Sequence, residues 1–390
     1  MKLSAHTALK AALWSAALLS AGQGSITGWA FGPSDQVSSA GRETGPGIGE
    51  MTPGGTTLLP VIPVRNDFLD HAPEDPVVRV TDRYSHEQME ADIRALKDRY
   101  QDKLQVHVIG QSHDGRNLYE LVIGREDAPC HVLIQGAIHG RESMTPLLIM
   151  NQIELALANY DTGHYDGMAL SDMFGQVALH FVPMTNPDGV ALSQYGLSAI
   201  RSDSLKEQIL ASYRRDVETG RTDLDLEAYL PCWKSNAMGV DLNHNFPAQW
   251  DRLPAASGSY ANYKGPAPLS EPESRALADL TTGRTWAATV SYHSMGNIIY
   301  WDTENSRCAD ASLALAEAVS RVTGYAPDPD MGKGGYKDWV QTNGQAPPSI
   351  TIEVGSVACP MPVSEYESVW KQNRSVWARV MTFVLSRQKP

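Results

Sequence analysis

Short apolar runs of strand length alternate with helical segments through most of the chain, and this alternation restricts the fold more than any other feature. The strand-like runs are at 104–110, 117–124, 130–136, 177–183, 286–293, 297–301 and 349–354. Asp114-Gly115 lies between the first two and is typical of a hairpin turn. Because such alternation produces parallel pairs and hairpins produce antiparallel ones, the sequence predicts a single α/β domain, a mixed twisted β-sheet flanked by helices.

Helix-starting signals lie between these runs. Ser85-His86-Glu87-Gln88 has the capping-box pattern, and Met89, Ile93, Leu96 and Tyr100 follow it at helical spacing. A second helix is predicted over 144–159. Further helices are predicted to begin near Ser270, Asp310 and Ser364.

The first 79 residues differ in composition from the rest. Residues 1–30 contain a short apolar run, 11–21, flanked by Lys2 and Lys10, which is typical of a secretory signal and too short to span a bilayer. The alternative is an apolar N-terminal helix of a cytoplasmic protein. Residues 31–79 are rich in Gly, Pro, Ser and Thr and are predicted to be a linker or short pro-segment. The folded domain is predicted to span 80–387, in a secreted or periplasmic protein without stable membrane insertion.

Charge and cysteine content narrow the choice of partners. With 32 Lys and Arg against 45 Asp and Glu, the net charge of −13 repels nucleic acid. Cys130, Cys232, Cys308 and Cys359 have no CxxC spacing, which excludes a thiolate metal site of that type. In an oxidising compartment they allow up to two disulfides in three connectivities, and the sequence leaves the pairing and the oligomeric state open.

The segment Gly136-Ala137-Ile138-His139-Gly140-Arg141-Glu142 follows a predicted buried strand and precedes a helix. His139 and Glu142, three residues apart in a turn, are able to direct an imidazole nitrogen and a carboxylate at one point. A catalytic zinc ion needs three such protein ligands. The alternative is a solvated turn without a metal.

Two further residues complete this hypothesis. His293 ends a predicted strand at the sheet edge where active sites of open α/β sheets lie, so it is a candidate third ligand. Glu353 lies within the apolar run 349–354, and a carboxylate is costly to bury unless it is paired or near a metal, so it is a candidate general base. The alternatives are a core histidine with satisfied hydrogen bonds and a glutamate on the wet face of an edge strand.

Taken together, these motifs resemble the zinc carboxypeptidase family, which contains carboxypeptidases A and B. The matching segments are at 139–142, 186–189, 239–243, 291–294, 334–339 and 351–353. The resemblance implies one Zn²⁺ bound by His139, Glu142 and His293, with Glu353 acting as base and then as acid. Within the family the chain is most similar to bacterial γ-D-glutamyl-meso-diaminopimelate peptidases, which trim peptidoglycan stem peptides. That likeness rests on segments at 233–237, 241–247, 263–265, 270–273, 291–301 and 360–362.

The resemblance also assigns roles around the metal. Asp241 corresponds to the carboxylate that orients a zinc-binding histidine, and Lys234 stands where the family has an arginine that supports the oxyanion. Their alternatives are an ordinary turn carboxylate and a solvated surface lysine.

For substrate binding, the resemblance points to four residues. Asn243 and His244 occupy the position of an Asn-Arg pair in carboxypeptidases, and histidine lacks the guanidinium fork that clamps a C-terminal carboxylate. Asp330 stands where the family usually has a tyrosine, for which Tyr336 is a candidate replacement. Lys337 falls at the base of the side-chain pocket and favours an acidic group, the alternative being a solvated lysine in a Gly-rich loop.

These observations favour an exported zinc metallopeptidase that cuts a γ-D-glutamyl–diaminopimelate or related cell-wall amide bond in a peptide or muropeptide. Two other enzymatic activities remain open, namely a carboxypeptidase acting on ordinary peptides and an amidase of N-acyl amino acids. A non-enzymatic zinc-binding module is disfavoured, because the sequence keeps all three ligands and the base.

Overall fold

The computed structural model describes residues 72–254, 256–329 and 332–388. The predicted signal segment 1–30 and residues 31–71 of the predicted linker lie outside these residues. Among the described residues, no helix combines the length and apolarity needed to cross a membrane.

The strands of the described residues form one large sheet and a small hairpin. They are β1 Leu104–Gln111, β2 Asn117–Ile123, β3 Cys130–Gly136, β4 His164–Tyr165, β5 Met168–Ala169, β6 Val177–Val182, β7 Ala288–His293, β8 Ile298–Tyr300, β9 Ala326–Asp328 and β10 Ser349–Glu353. The eight-stranded sheet has the order β1-β2-β6-β3-β7-β10-β8-β9, and β4 pairs with β5. Strands β6, β3, β7 and β10 run parallel, whereas β1 and β2 form an antiparallel hairpin. The predicted mixed α/β sheet is confirmed.

Helices cover the sheet and connect its strands. In the described residues they are α1 His86–Tyr100, α2 Met144–Ala158, α3 Leu170–Gln176, α4 Pro187–Tyr195, α5 Asp203–Glu218, α6 Leu226–Tyr229, α7 Pro272–Thr282, α8 Ala309–Thr323, α9 Tyr336–Thr342, α10 Tyr366–Asn373 and α11 Val376–Ser386. Ser85 caps α1 as predicted, with its side chain accepting a hydrogen bond from the Gln88 backbone N–H.

Alternating side chains of the central strands enter two different apolar cores. Val132 and Ile134 of β3 belong to the larger core, which includes residues of α2 and α11. Leu133, between them in β3, packs in a second core with Phe246 and Trp339. Because successive residues of a strand face opposite sides of a sheet, both faces of β3 are buried.

Helix α5 was not predicted from the sequence, and its buried stripe shows why. Leu205, Ile209, Ser212 and Asp216 recur at helical spacing, but only two of them are apolar. Asp216 is buried because it accepts hydrogen bonds from the Tyr229 hydroxyl and the Ser259 hydroxyl, each 2.7 Å long. Contacts with distant segments therefore replace the apolar periodicity that marks a helix in a sequence.

Packing of the domain extends slightly before its predicted start at residue 80. The backbone N–H groups of Val77 and Val78 each donate a 2.8 Å hydrogen bond to the Glu154 carboxylate on α2. Val78 is also buried in the larger core. The last residues assigned to the linker thus contribute contacts to the domain.

All four cysteines are free thiols in the structure, so none of the connectivities left open by the sequence is formed. Burial raises the pKa of Cys359 to about 12, and its Sγ lies 3.7 Å from the carbonyl oxygen of Arg141. Cys359 therefore stays protonated and behaves as a small apolar side chain.

Candidate metal centre

The candidate site lies at the carboxyl ends of three adjacent strands. His293 is the last residue of β7 and pairs in register with Glu353, the last residue of β10. His139 follows the end of β3, which neighbours β7 on its other side. Strand β10 lies between β7 and β8, so Glu353 is not on an edge strand. Parallel pairing brings residues far apart in sequence to one edge of the sheet.

Three side chains direct their donor atoms toward one another at this edge. His139 Nδ1 lies 2.7 Å from Glu142 Oε1, and His293 Nδ1 lies 3.1 Å from Glu142 Oε2. The two Nδ1 atoms are 3.2 Å apart. His139 is 6% and His293 is 2% exposed, which contradicts the alternative of a solvated turn. The predicted trio is therefore one buried cluster.

This donor set fits a zinc ion. Two imidazole nitrogens and a carboxylate are the ligands of several catalytic zinc sites. Glu142 Oε2 is buried without a hydrogen bond of proper geometry, as expected for an atom suited to a cation. Burial alone would raise the pKa of Glu142, but His139 and His293 outweigh it and lower the pKa below its usual value. The carboxylate is thus ionised, as metal binding requires.

Asp241 lies between this cluster and two basic side chains, Lys234 and His244. Its Oδ1 lies 3.3 Å from His139 Nε2, the ring nitrogen opposite the cluster. Its Oδ2 lies 3.1 Å from His244 Nδ1 and 3.6 Å from Lys234 Nζ. Burial opposes ionisation, but Lys234, His244 and His139 hold the pKa of Asp241 well below its usual value. This placement suits a carboxylate that orients a metal-binding imidazole, because it fixes the ring through its second nitrogen.

A cavity of about 230 Å³ opens over the cluster. Its lining contains the predicted residues His139, His293, Glu353, Lys234, Asn243, His244 and Lys337. Lys333, Tyr300 and Thr351 also line it, although the sequence did not single them out. Lys333 lies in a Gly-rich segment without periodicity, so its sequence gives no sign of a role. Only its place in the lining of the cavity marks it as a candidate site residue.

Glu353 has the protonation behaviour of a general base. Burial raises the pKa of its carboxyl group to about 7, because the attraction of nearby His293 offsets only part of the desolvation cost. A group with a pKa near neutrality both accepts and donates a proton readily.

Lys337 is buried beside the cavity rather than solvated. Its Nζ donates hydrogen bonds to the Asp302 backbone oxygen and, at 2.6 Å, to Asp338 Oδ1. The alternative of a solvated lysine is wrong. The neighbouring carboxylate partly neutralises the ammonium charge that Lys337 presents to the cavity.

Tyr336 does not bind substrate in the way the sequence predicted. Its ring is fully buried against Phe246 and Trp339, and its hydroxyl lies 2.9 Å from Thr281 Oγ1. The prediction is wrong because Tyr336 begins α9, where burying the aromatic ring in the second core turns the hydroxyl away from the cavity. Asp330, which stands where the family usually has the tyrosine, lies outside the described residues.

Asn243 lies between this helix and the cavity. Its side-chain oxygen accepts a 3.0 Å hydrogen bond from the Tyr336 backbone N–H. Asn243 therefore anchors the start of α9 while it lines the cavity.

Known proteins are similar to this chain in sequence. The sequence profile of the zinc carboxypeptidase family matches residues 89–376. A γ-D-glutamyl-L-diamino acid endopeptidase 1 of Lysinibacillus sphaericus is 34% identical over 298 residues, which cover 74% of this chain and 70% of that protein. Carboxypeptidase B of Astacus astacus is 24% identical over 293 residues, covering 70% of this chain and 86% of that protein.

Solved structures support the same fold. The carboxypeptidase A of Helicoverpa armigera has a TM-score of 0.60 at 18% identity, covering 83% of this chain and 80% of that one. Thrombin-activatable fibrinolysis inhibitor has a TM-score of 0.63 at 19% identity, covering 82% of this chain and 80% of that one. With its sequence match over most of the domain and its cluster of two histidines and a glutamate, this chain belongs to the zinc carboxypeptidase family and is a zinc metallopeptidase.

Proposed function

We propose that this protein is an exported zinc metallopeptidase that hydrolyses the amide bond between γ-D-glutamate and diaminopimelate in cell-wall peptides. The observation that carries the proposal is the cavity, in which His139, His293 and Glu353 lie beside Lys234, Lys333, Lys337 and His244. Glu142 contacts both histidines from beneath this lining. A relative at 34% identity is named for a γ-D-glutamyl-L-diamino acid bond, which supports the same substrate class.

In this proposal His139, Glu142 and His293 hold a single Zn²⁺. When bound, the ion supplies Lewis acidity, which polarises the scissile carbonyl and lowers the pKa of water toward about 7. The Asp241 carboxylate lies 3.3 Å from His139 Nε2, where its negative charge favours this orientation of the ring. That contact leaves Nδ1 free to face the metal.

Glu353 performs the proton transfers. Because burial keeps its pKa at about 7, its carboxylate takes a proton from the attacking water and returns it to the leaving amine. Its position at the end of β10, paired with His293, fixes it beside the metal ligands.

Lys234 supports the charge that develops on the scissile oxygen. Its ammonium group lines the cavity and is anchored 3.6 Å from Asp241 Oδ2. A fixed cation in a desolvated site stabilises a developing oxyanion more than the neutral ground state.

Specificity in this proposal comes from positive charge in the rest of the cavity. Meso-diaminopimelate carries a second carboxylate at the far end of its side chain. Lys333, Lys337 and His244 line the cavity and present donors to such an anionic residue. His244 cannot form the two parallel hydrogen bonds of an arginine, so a simple C-terminal carboxylate is a weaker ligand here.

Export is proposed from the N-terminal sequence alone. A charged start followed by an apolar run of signal length would carry the enzyme to the compartment that contains peptidoglycan.

Mass spectrometry of the products from defined muropeptides tests the substrate. The expected result is release of fragments that begin with diaminopimelate, and loss of this cleavage in Glu353→Gln. Stepwise removal of C-terminal residues from ordinary peptides would instead establish a carboxypeptidase. Hydrolysis restricted to N-acyl amino acids would establish an amidase, and either result would overturn the proposal.

A further inference from the structure

A second group of potential metal ligands lies outside the cavity. His113, in the turn between β1 and β2, approaches Glu271 and Glu273 at the start of α7. One ligand atom from each of the three residues lies within 4.8 Å of the other two. None of them lines the cavity over the first cluster.

The first carboxylate of this group is fully hydrogen-bonded. Glu271 Oε2 lies 2.9 Å from His113 Nε2 and accepts a 2.7 Å hydrogen bond from Asn236 Nδ2. Glu271 Oε1 accepts a 2.7 Å hydrogen bond from the Ser270 hydroxyl. Glu271 is therefore held in a fixed orientation beside His113.

The second carboxylate is not satisfied. Glu273 is 0% exposed, and its Oε1 has no hydrogen-bond partner among the described residues. Its Oε2 accepts a long hydrogen bond, 3.3 Å, from the same Asn236 amide, and the Glu273 backbone N–H also interacts with the carboxylate. A buried carboxylate oxygen without a donor is costly, and native proteins rarely keep one without a ligand or a proton.

The guanidinium beside Asp188, that of Arg116, is already engaged with other carboxylates. Arg116 Nη1 lies 2.7 Å from Asp114 Oδ2 and 2.8 Å from Asp188 Oδ1. Asp188 adds its own negative field at Glu273. The surroundings therefore contain more buried negative charge than these contacts neutralise.

We propose that His113, Glu271 and Glu273 bind a second Zn²⁺ ion. One imidazole and two carboxylates form a ligand set that Zn²⁺ accepts, with water completing the coordination. Ca²⁺ is a poorer fit, because it prefers six to eight oxygen ligands. The exposed edge of His113 gives the ion a route from solvent to the two buried carboxylates.

The ion would fasten three segments of the chain. His113 belongs to the β1–β2 turn, the two glutamates belong to the start of α7, and Asn236 contacts both glutamates. Asn236 also accepts hydrogen bonds from the backbone N–H groups of Met238 and Val240, so it shapes the loop that carries Lys234 and Asp241. The second ion is therefore a structural ion that supports the loop of the first site.

A proton is the competing way to satisfy Glu273. Burial raises the pKa of Glu273 to about 7, so a protonated carboxyl group could occupy this position without a metal. The test must therefore detect the ion itself rather than the charge of the carboxylate.

The test uses the full chain with the first cluster disabled by His139→Ala and His293→Ala together. After chelator treatment and desalting, Zn²⁺ is titrated calorimetrically, and bound metal is counted by mass spectrometry. We expect about one equivalent to bind. Adding Glu273→Gln or His113→Ala to this background should weaken binding at least about tenfold, the minimum effect of disturbing a metal-site residue. Adding His164→Ala, an exposed histidine on β4, should leave it unchanged.

Two results would overturn the proposal. One is absence of Zn²⁺ binding in the double variant, which would leave a proton as the partner of Glu273. The other is undiminished binding after Glu273→Gln and His113→Ala in variants whose circular dichroism shows the native fold. Neither result touches the proposed cell-wall activity, which is measured on the chain with its first cluster intact.

Discussion

Two trios, each of two histidines and one glutamate, lie on or next to the strands of the large sheet, and they differ in how their polar atoms are used. At the carboxyl edge, His139, His293 and Glu142 bring two imidazole nitrogens and two carboxylate oxygens together, with contacts of 2.7 to 3.2 Å. Toward the amino end, His131, His180 and Glu120 form a linear chain. His131 Nδ1 lies 3.0 Å from His180 Nε2, and His180 Nδ1 lies 2.7 Å from Glu120 Oε1.

The difference shows that residue types alone do not make a metal site. In the linear chain both nitrogens of His180 are engaged, and Trp286 packs edge-on against both rings. In the convergent trio Glu142 Oε2 has no properly oriented donor, and the two histidines line a cavity. Convergence and incomplete hydrogen bonding therefore separate the candidate metal centre from the linear network, whereas access from solvent does not, because His131 also lines a cavity, of about 350 Å³.

Replacing one histidine in each trio should give the largest difference in zinc content and activity between the two trios. His139→Ala or His293→Ala deletes one of three zinc ligands, so we expect activity to be lost and the zinc content to fall by about one equivalent. His131→Ala is the matched control and should keep both the metal and the activity. Metal analysis by mass spectrometry, together with peptidase assays, checks this prediction. Unchanged zinc in both cavity variants would show that the convergent trio is not the metal site.

Neutralising one glutamate at each trio, Glu353 next to the convergent one and Glu120 within the linear one, should have the next largest effect on turnover. Glu353→Gln keeps the shape of the side chain but cannot accept a proton, so turnover should fall roughly 10²–10⁴-fold while the metal is retained. Glu120→Gln should leave turnover near the unmodified value. Steady-state kinetics with parallel metal analysis measures both. Near-normal turnover of a zinc-loaded Glu353→Gln variant would assign the base to another residue.

Lys337→Ala tests whether the cavity over the convergent trio also recognises the substrate. Loss of the ammonium group leaves the buried Asp338 carboxylate near the cavity, which should disfavour an anionic residue. Cleavage before diaminopimelate should weaken by about 1.5–3 kcal/mol, the range for hydrogen bonds to charged groups, whereas cleavage before lysine should change less. The ratio of kcat/KM for two matched peptides reports the difference. Equal losses on both peptides would assign Lys337 a structural role only.

Acidification should lower the stability of the folded protein through His131 of the linear trio, and this effect needs no metal. Burial lowers the pKa of His131 from 6.5 to about 4. As the pH falls from about 6.5 to 4, the unfolded chain takes up a proton that the folded chain refuses, so the free energy of unfolding decreases in that window. Thermal unfolding at pH 7.5 and pH 5 measures this, and His131→Gln should show a smaller difference than the unmodified chain. An equal difference in both proteins would place the acid sensitivity elsewhere.

The sequence determined seven of the ten strands among the described residues, together with the three members of the candidate metal cluster and Glu353. Apolar runs such as 130–136 and 349–354 became β3 and β10, because their side chains are apolar enough to be buried on both faces of the sheet. His139 and Glu142 were recognisable because their spacing is local. His293 and Glu353 were recognisable because each ends a buried strand, where a polar side chain costs free energy unless it has a partner.

Only the tertiary structure decided which side chains face the cavity. Tyr336 and Lys337 are adjacent in sequence, yet the first is buried in the second core and the second lines the cavity. The same holds for Lys333, which has no local signal, and for His113, which meets Glu271 and Glu273 only after the β1–β2 turn packs near the start of α7. Side-chain direction at such positions depends on packing between segments distant in the chain, and local propensity does not encode that packing.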